Sequence, residues 1–143
     1  ILEETVERFR TVDPAIEWVL DDVDHDVRVS ADRLQLRQML VNLLKNAMEA
    51  GAKNVTCRLD PVHRGTTPYV RIQIRDNGEG IDPVRRDTVY QPYNSTRDRG
   101  SGLGLAVVQR IIYDHQGRIW FESEPGTGTV FYIDLPVKEG EQD

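Results

Sequence analysis

Cysteine is almost missing from this chain: Cys57 stands alone among 143 residues. No intrachain disulfide can form, and no CxxC spacing exists for a metal or a redox pair. A reducing, cytoplasmic setting is the expectation. Long apolar runs are lacking too, since nothing approaches the roughly 18 apolar residues of a membrane span, so no membrane contact is expected of this segment. Nor is there an excess of basic charge. The formal net charge is −6, with both signs mixed along the sequence, which offers no basic stripe to nucleic acid or an anionic membrane. The chain has neither an initiator methionine nor a signal peptide, and Ile1 opens directly in amphipathic sequence, so a segment of a longer protein is expected. Its length suits one domain, residues 1–143, and is too short for sensor, dimerisation and catalytic modules together. There are no internal repeats.

What is present reads as mixed helix and strand. Val6 and Phe9, spaced among charges in residues 3–10, give a short helix that Pro14 keeps from running on. Ile16–Leu20 and Val27–Val29 read as short strands around an acidic turn. Ser30 then reads as an N-cap with Asp32 in the first turn. Leu36, Met39, Leu40, Leu43, Leu44, Ala47 and Met48 follow at helical spacing until Gly51. Val55–Leu59 and Tyr69–Ile74 read as an antiparallel pair with residues 61–68 as a loop between them. A second helix is expected from about Gly102 to His115. Ile119–Ser123 and Thr129–Leu135 form a terminal hairpin, and residues 138–143 a polar tail. The pattern favours an α+β two-layer sandwich with a mostly antiparallel sheet.

Four clusters could carry chemistry. Asn42, Asn46 and Glu49 lie at spacings of four and three along one stripe bordering the apolar face of the long helix. The plain reading is a solvated helix face, yet asparagine is a poor mid-helix residue and a good neutral oxygen ligand for Mg²⁺. Asp76, Gly78 and Gly80 form a DxGxG turn directly after a strand. The glycines permit a tight backbone path beside a flat ligand, and an aspartate there can accept from an exocyclic amino group. Gly100, Gly102, Leu103, Gly104 and Leu105 lead into a helix whose free amides could meet an anion. Arg97 and Arg99 lie just upstream, where solvated arginines are the ordinary case. The spacing is GxGxG after a polar loop, which does not match a dinucleotide fingerprint. Gly126-Thr127-Gly128-Thr129 alone would be only a turn.

Their order gives them force. NLLKNAMEA (42–50), DNGEGI (76–81), GSGLGL (100–105) and PGTGT (125–129) resemble the four nucleotide boxes of the GHKL ATPase and kinase superfamily, and most closely those of sensor histidine kinases. DRLQLRQMLVNLLKNAMEAGA and QPYNSTRDRGSGLGLAVV resemble the nitrogen-regulation branch in particular. The resemblance implies a two-layer Bergerat-type sandwich with its helices on one face. It implies that Asn46, with Asn42, holds Mg²⁺ on ATP, that Asp76 reads the adenine amino group, and that Gly78 and Gly80 make room for the ring. Ile81 belongs to the ATP site, Thr129 to its adenine end, and VYQPY (89–93) resembles an aromatic box with Tyr90 and Tyr93. A lid at residues 94–101, with Ser95, Thr96 and Arg97, would close over the phosphates together with Gly100, Gly102, Leu103, Gly104 and Leu105.

ATP-hydrolysing members of the superfamily place a glutamate one turn before the metal asparagine, and here that position is Asn42, which cannot act as a general base. Glu49 departs from the lysine many of these kinases carry. His25, His63 and His115 do not stand in the HExxxP context of a phosphoacceptor helix. His115, at a helix end, reads as a cation near the C-terminal dipole. The expectation is therefore the catalytic domain of a two-component histidine kinase, starting at residues 1–12 just after a dimerisation hairpin. It would take ATP and Mg²⁺ as cofactors, a histidine phosphoacceptor domain as partner, and a response regulator indirectly. A cytoplasmic place, including the cytoplasmic end of a membrane-anchored sensor, is implied. The alternatives are a stand-alone serine kinase of the anti-sigma-factor type and a non-catalytic nucleotide sensor.

Overall fold

The computed structural model describes residues 1–23, 29, 31–91 and 104–137. Helix α1 (Leu2–Val12) leads to strand β1 (Glu17–Val23), and helix α2 (Arg33–Glu49) to β2 (Asn54–Arg64) and β3 (Thr67–Asp76). A short 3₁₀ helix (Pro83–Thr88) precedes α3 (Gly104–Asp114), β4 (Arg118–Glu124) and β5 (Gly128–Pro136). The strands form a five-stranded sheet in the order β1-β2-β3-β5-β4. Only β1 and β2 run parallel, and the crossover such a pair requires is supplied by α2. The remaining pairs are antiparallel.

Among the described residues, α1, α2 and α3 lie on one face of the sheet. Leu2, Val6 and Phe9 of α1, Met39, Leu40, Leu43, Leu44 and Ala47 of α2, and Val108, Ile111 and Ile112 of α3 share a single core. The alternate residues Val55, Cys57, Ile72, Ile74, Phe131, Ile133 and Leu135 complete it from the sheet. The period of two along each strand sends the intervening residues, among them Arg58, Arg71, Gln73, Trp120 and Tyr132, to the other face. There Trp120 stacks on Tyr132 at 5.2 Å and the Arg71 guanidinium lies 4.9 Å from the Trp120 ring. Trp18 packs on Phe9 in the core.

Several expectations need correction. The cap of α2 is Asp32: its backbone is extended, and its Oδ1 accepts from the N–H groups of Leu34 (2.9 Å) and Gln35 (3.0 Å). Ser30 lies outside the described residues. The expected loop at 61–68 is instead a continuation of the hairpin, with Pro61 paired to Val70 and His63 to Pro68. Beyond Leu59, β2 has no further pairing with β1 among the described residues, so the N–H that Pro61 lacks has no ladder partner there to serve. The turn shrinks to Gly65-Thr66, with Gly65 at φ 61, as the first central position of a II′ turn requires. Of the expected strand at 27–29, Val29 makes an isolated bridge to Val137, and the other two residues lie outside the described set. His115 accepts from the Asp32 N–H at Nε2 (3.0 Å) and bonds the Ile111 carbonyl through Nδ1 (2.7 Å). These two contacts link α3 to the cap of α2.

Candidate functional site

The DxGxG loop begins where β3 ends. Asp76 is buried and faces the helix layer, and its Oδ1 accepts from the Gly78 N–H at 2.8 Å. Asn77 points the other way: its Oδ1 receives the N–H groups of Lys53 and Asn54 at 2.8 and 2.9 Å, tying the loop to the start of β2. The Glu79 N–H donates to Ala50 O at the end of α2, and the Gly126 N–H to Glu79 O. Thus the first glycine loop is held between the helix that carries the asparagines and the turn before β5.

The structure supplies its own reasons for the glycines. A Cβ on Gly78 would sit 2.7 Å from Ala50 O, and one on Gly80, at φ +77, would sit 2.4 Å from Glu124 O. The chain's close approach to itself therefore excludes side chains at both positions, whatever room the nucleotide needs. Gly128 is tighter still, since a Cβ there would reach within 2.0 Å of Asp76 O.

Asp76 pairs with Thr129 across β3 and β5, and Thr129 pairs with Ser123 across β5 and β4. These three buried polar residues form one row on the helix side of the sheet. Ser123 is its hub, contacting the Ile81 N–H (2.8 Å), Gly128 O (3.0 Å) and Thr129 Oγ1 (2.9 Å). Arg86 donates to the carbonyl of Ser123 and lies over the Phe121 ring. Neither Ser123 nor Asn77 was singled out from sequence. The signal for Ser123 was a polar residue in phase with the apolar Ile119 and Phe121.

Asn42, Asn46 and Glu49 are half-buried along the stripe of α2 bordering the core. The Asn42 amide nitrogen makes a long bond, 3.4 Å, to Gly104 O at the start of α3. Among the described residues no group of three or more His, Cys, Asp or Glu is placed to hold a metal. A pair of neutral amide oxygens cannot cage a bare divalent ion, but it suits Mg²⁺ that takes most of its ligands from phosphate and water. A cleft of about 600 Å³ opens at this end of the sheet beside Asp76, Ser123 and Thr129. Its other walls include Arg75, Glu122 and Val130 from the outer face, so it is not the space between Asp76 and the α2 asparagines.

Tyr90 packs edge-on against Phe121, with ring centroids 6.2 Å apart. Its hydroxyl is buried without a hydrogen-bond partner among the described residues, and burial pushes its pKa up to about 12. Gly104 and Leu105 open α3, and Leu105 packs against the core. Tyr93, Ser95, Thr96, Arg97, Arg99, Gly100, Gly102 and Leu103, and with them the expected lid, lie outside the described residues.

A mixed sheet covered on one face by helices, with an asparagine helix, a DxGxG loop and a GTGT turn meeting at one end, defines a nucleotide-binding α+β domain. Residues 31–139 match the family model described as histidine kinase-, DNA gyrase B- and HSP90-like ATPase, and the chain belongs to that family. Its similarity there is to histidine kinase catalytic domains. It is 38% identical over 133 residues, 90% of the chain, to sporulation kinase E of Bacillus subtilis. Over 116 residues, 81% of the chain, it is 41% identical to the sensor histidine kinase ZraS of Salmonella typhimurium. It spans only 17% and 25% of those proteins. Among solved structures, a mycobacterial sensor histidine kinase MprB superposes with a TM-score of 0.82 at 28% identity, covering 96% of this chain and 92% of that one. Full-length ShkA in complex with AMPPNP gives 0.80 at 28% identity, covering 95% of this chain and 29% of that one. Among the described residues no helix is long and apolar enough to cross a membrane.

Proposed function

We propose that this chain binds Mg·ATP and passes the γ-phosphoryl group to a histidine on a separate helical phosphoacceptor domain, as the catalytic part of a two-component signalling kinase. The observation that carries the reading is the residue on α2 one turn before Asn46. Asn42 stands where hydrolytic relatives of the superfamily resemble one another in a general-base glutamate, and an amide cannot take a proton from water. A pocket that holds the triphosphate without activating water suits transfer to a protein acceptor, in which positioning and charge neutralisation do most of the work.

In this reading Asp76 accepts from the adenine amino group, Thr129 and Ile81 border the base, and Asn46 with Asn42 binds the metal. Mg²⁺, when bound, neutralises charge on the triphosphate. Tyr90 lines the nucleotide side of the aromatic box, and Glu49 contacts metal or water indirectly. Ser95, Thr96, Arg97 and the second glycine box meet the phosphates. A response regulator is the next acceptor. The kinases named above come from different signalling settings, so the nitrogen-regulation branch rests on the sequences around α2 and the lid alone.

The test uses the 143-residue chain with Mg·ATP. Nucleotide should bind while hydrolysis stays slow and no autophosphorylation occurs. A phosphoacceptor hairpin from a related kinase, added in trans, should become labelled on histidine, recognisable by acid lability. Rapid multi-turnover hydrolysis by the chain alone would sink the reading.

A further inference from the structure

The row Asp76, Thr129, Ser123 contains more information than three polar contacts, because a hydroxyl has one hydrogen to give and two lone pairs to receive. Ser123 Oγ has three partners. The Ile81 N–H, at 2.8 Å, can only donate and occupies one lone pair. Gly128 O, at 3.0 Å, can only accept and takes the serine hydrogen. Were that hydrogen directed at Thr129 instead, two oxygen acceptors would face each other at 3.0 Å. Thr129 Oγ1, at 2.9 Å, must then donate to the remaining lone pair of Ser123. The threonine has spent its hydrogen on the protein.

From this we infer that Ser123 is a specificity-determining positioning residue, which fixes the Thr129 hydroxyl as an acceptor toward the base of the nucleotide. The inference rests on the base contact proposed above. Asp76 and Thr129 are cross-strand partners on the same face, and both then present acceptors. Such a pair matches a group with two hydrogens to donate, which is the 6-amino group of adenine. It opposes a 6-oxo group, whose lone pairs would meet acceptors. Discrimination by leaving buried polar groups unpaired is the effective kind. Ser123 does not touch the base in this account and acts through Thr129.

The test compares Mg·ATP with Mg·ITP, which differs from it only in the 6-oxo group and the attendant N1 hydrogen. Affinities are measured by calorimetry on the 143-residue chain. With Ser123→Ala the Thr129 hydroxyl is free to turn and donate, so the preference for ATP over ITP should fall about tenfold, the worth of one hydrogen bond. Thr129→Val should lower the same preference, and adding Ser123→Ala to it should change the ratio no further. Should Ser123→Ala fail to show a cooperative thermal transition, Ser123→Cys gives the same reading, since its thiol is a weaker acceptor of similar size.

An unchanged ATP to ITP ratio in the serine variant, with Thr129→Val lowering it, overturns the inference and leaves the base contact standing. An equal proportional loss for both nucleotides also overturns it, because that is what a purely structural serine would give. If Thr129→Val leaves the ratio untouched, the base contact itself fails, and the role of Ser123 fails with it.

Discussion

Replacing Asp76 by alanine takes away the acceptor for the Gly78 N–H and, in the proposed pocket, the acceptor for the adenine amino group. A buried donor left without a partner costs about 1–3 kcal/mol, so ATP affinity should drop by at least several-fold in calorimetry. Unchanged affinity would remove Asp76 from base recognition. Cys57 makes a different point at the same scale. It is buried in the core, and desolvation pushes its thiol pKa up to about 12. At neutral pH it is a protonated, inaccessible thiol and a poor nucleophile. Its alkylation by iodoacetamide, followed by mass spectrometry, should be negligible in buffer and complete in strong denaturant. Fast labelling of the native chain would mean that the β2 region opens locally. Asp76 was legible in the sequence because an aspartate after a strand and before two glycines is chemically unusual. Ser123 was not, because its role appears only once the β4–β5 register sets it opposite Thr129 and the loop brings Ile81 across. Asn77 was hidden in the same way: its bonds to Lys53 and Asn54 cross 24 and 23 positions of chain.

At the scale of elements, α2 was the part most readable in advance, since apolar residues at spacings of three and four can face only one way on a helix. Its end was marked by Gly51, at φ 77, a value glycine adopts freely. Its beginning was misjudged by two residues, because serine and aspartate are both good caps, and it is the extended backbone and the two side-chain bonds of Asp32 that assign the cap. Asp32→Ala should cost about 1 kcal/mol, within the range of lost side-chain caps, and should lower the thermal midpoint without touching nucleotide affinity. Ser30→Ala should do neither if Asp32 is the cap; a larger loss from the serine variant in thermal unfolding would reverse the assignment. The β2–β3 hairpin was misread for a physical reason of another kind. Pro61 and Pro68 argue against a central strand, but among the described residues no strand pairs with β2 beyond Leu59 on its other edge, and Pro68 precedes the first residue of β3 that pairs with β5. The prolines occupy places in the ladder where no donor is missed.

At the scale of the molecule, the sheet face opposite α1, α2 and α3 is organised around Asp134. It stands between the core residues Ile133 and Leu135 and is itself fully buried. Arg64 of β2 closes on it at 2.6 Å and Arg71 of β3 at 2.8 Å. Three strands are thereby joined through a single carboxylate of β5. Burial alone would push its pKa up; the hydrogen bonds and charges of Arg71 and Arg64 outweigh that and hold it below the usual carboxylate value. A carboxyl whose folded pKa is depressed stabilises the native state at pH values above its unfolded pKa, and loses that contribution as pH falls through the lower, folded value. The stability difference between the unaltered chain and Asp134→Asn should therefore be constant from neutral pH down to about pH 5 and shrink only below the ordinary aspartate range, near 4. At neutral pH the loss should be about 1.5–3 kcal/mol, the scale of hydrogen bonds to a charged group, discounted because both arginines keep part of their surface in water. Urea unfolding at a series of pH values from 3 to 7 measures the difference directly. If it stays constant through the acid range, the carboxylate is not held by its arginines in the way the geometry requires. If it grows as pH falls, the sign of the shift is wrong, and Asp134 would then be a buried group that the fold carries at a cost.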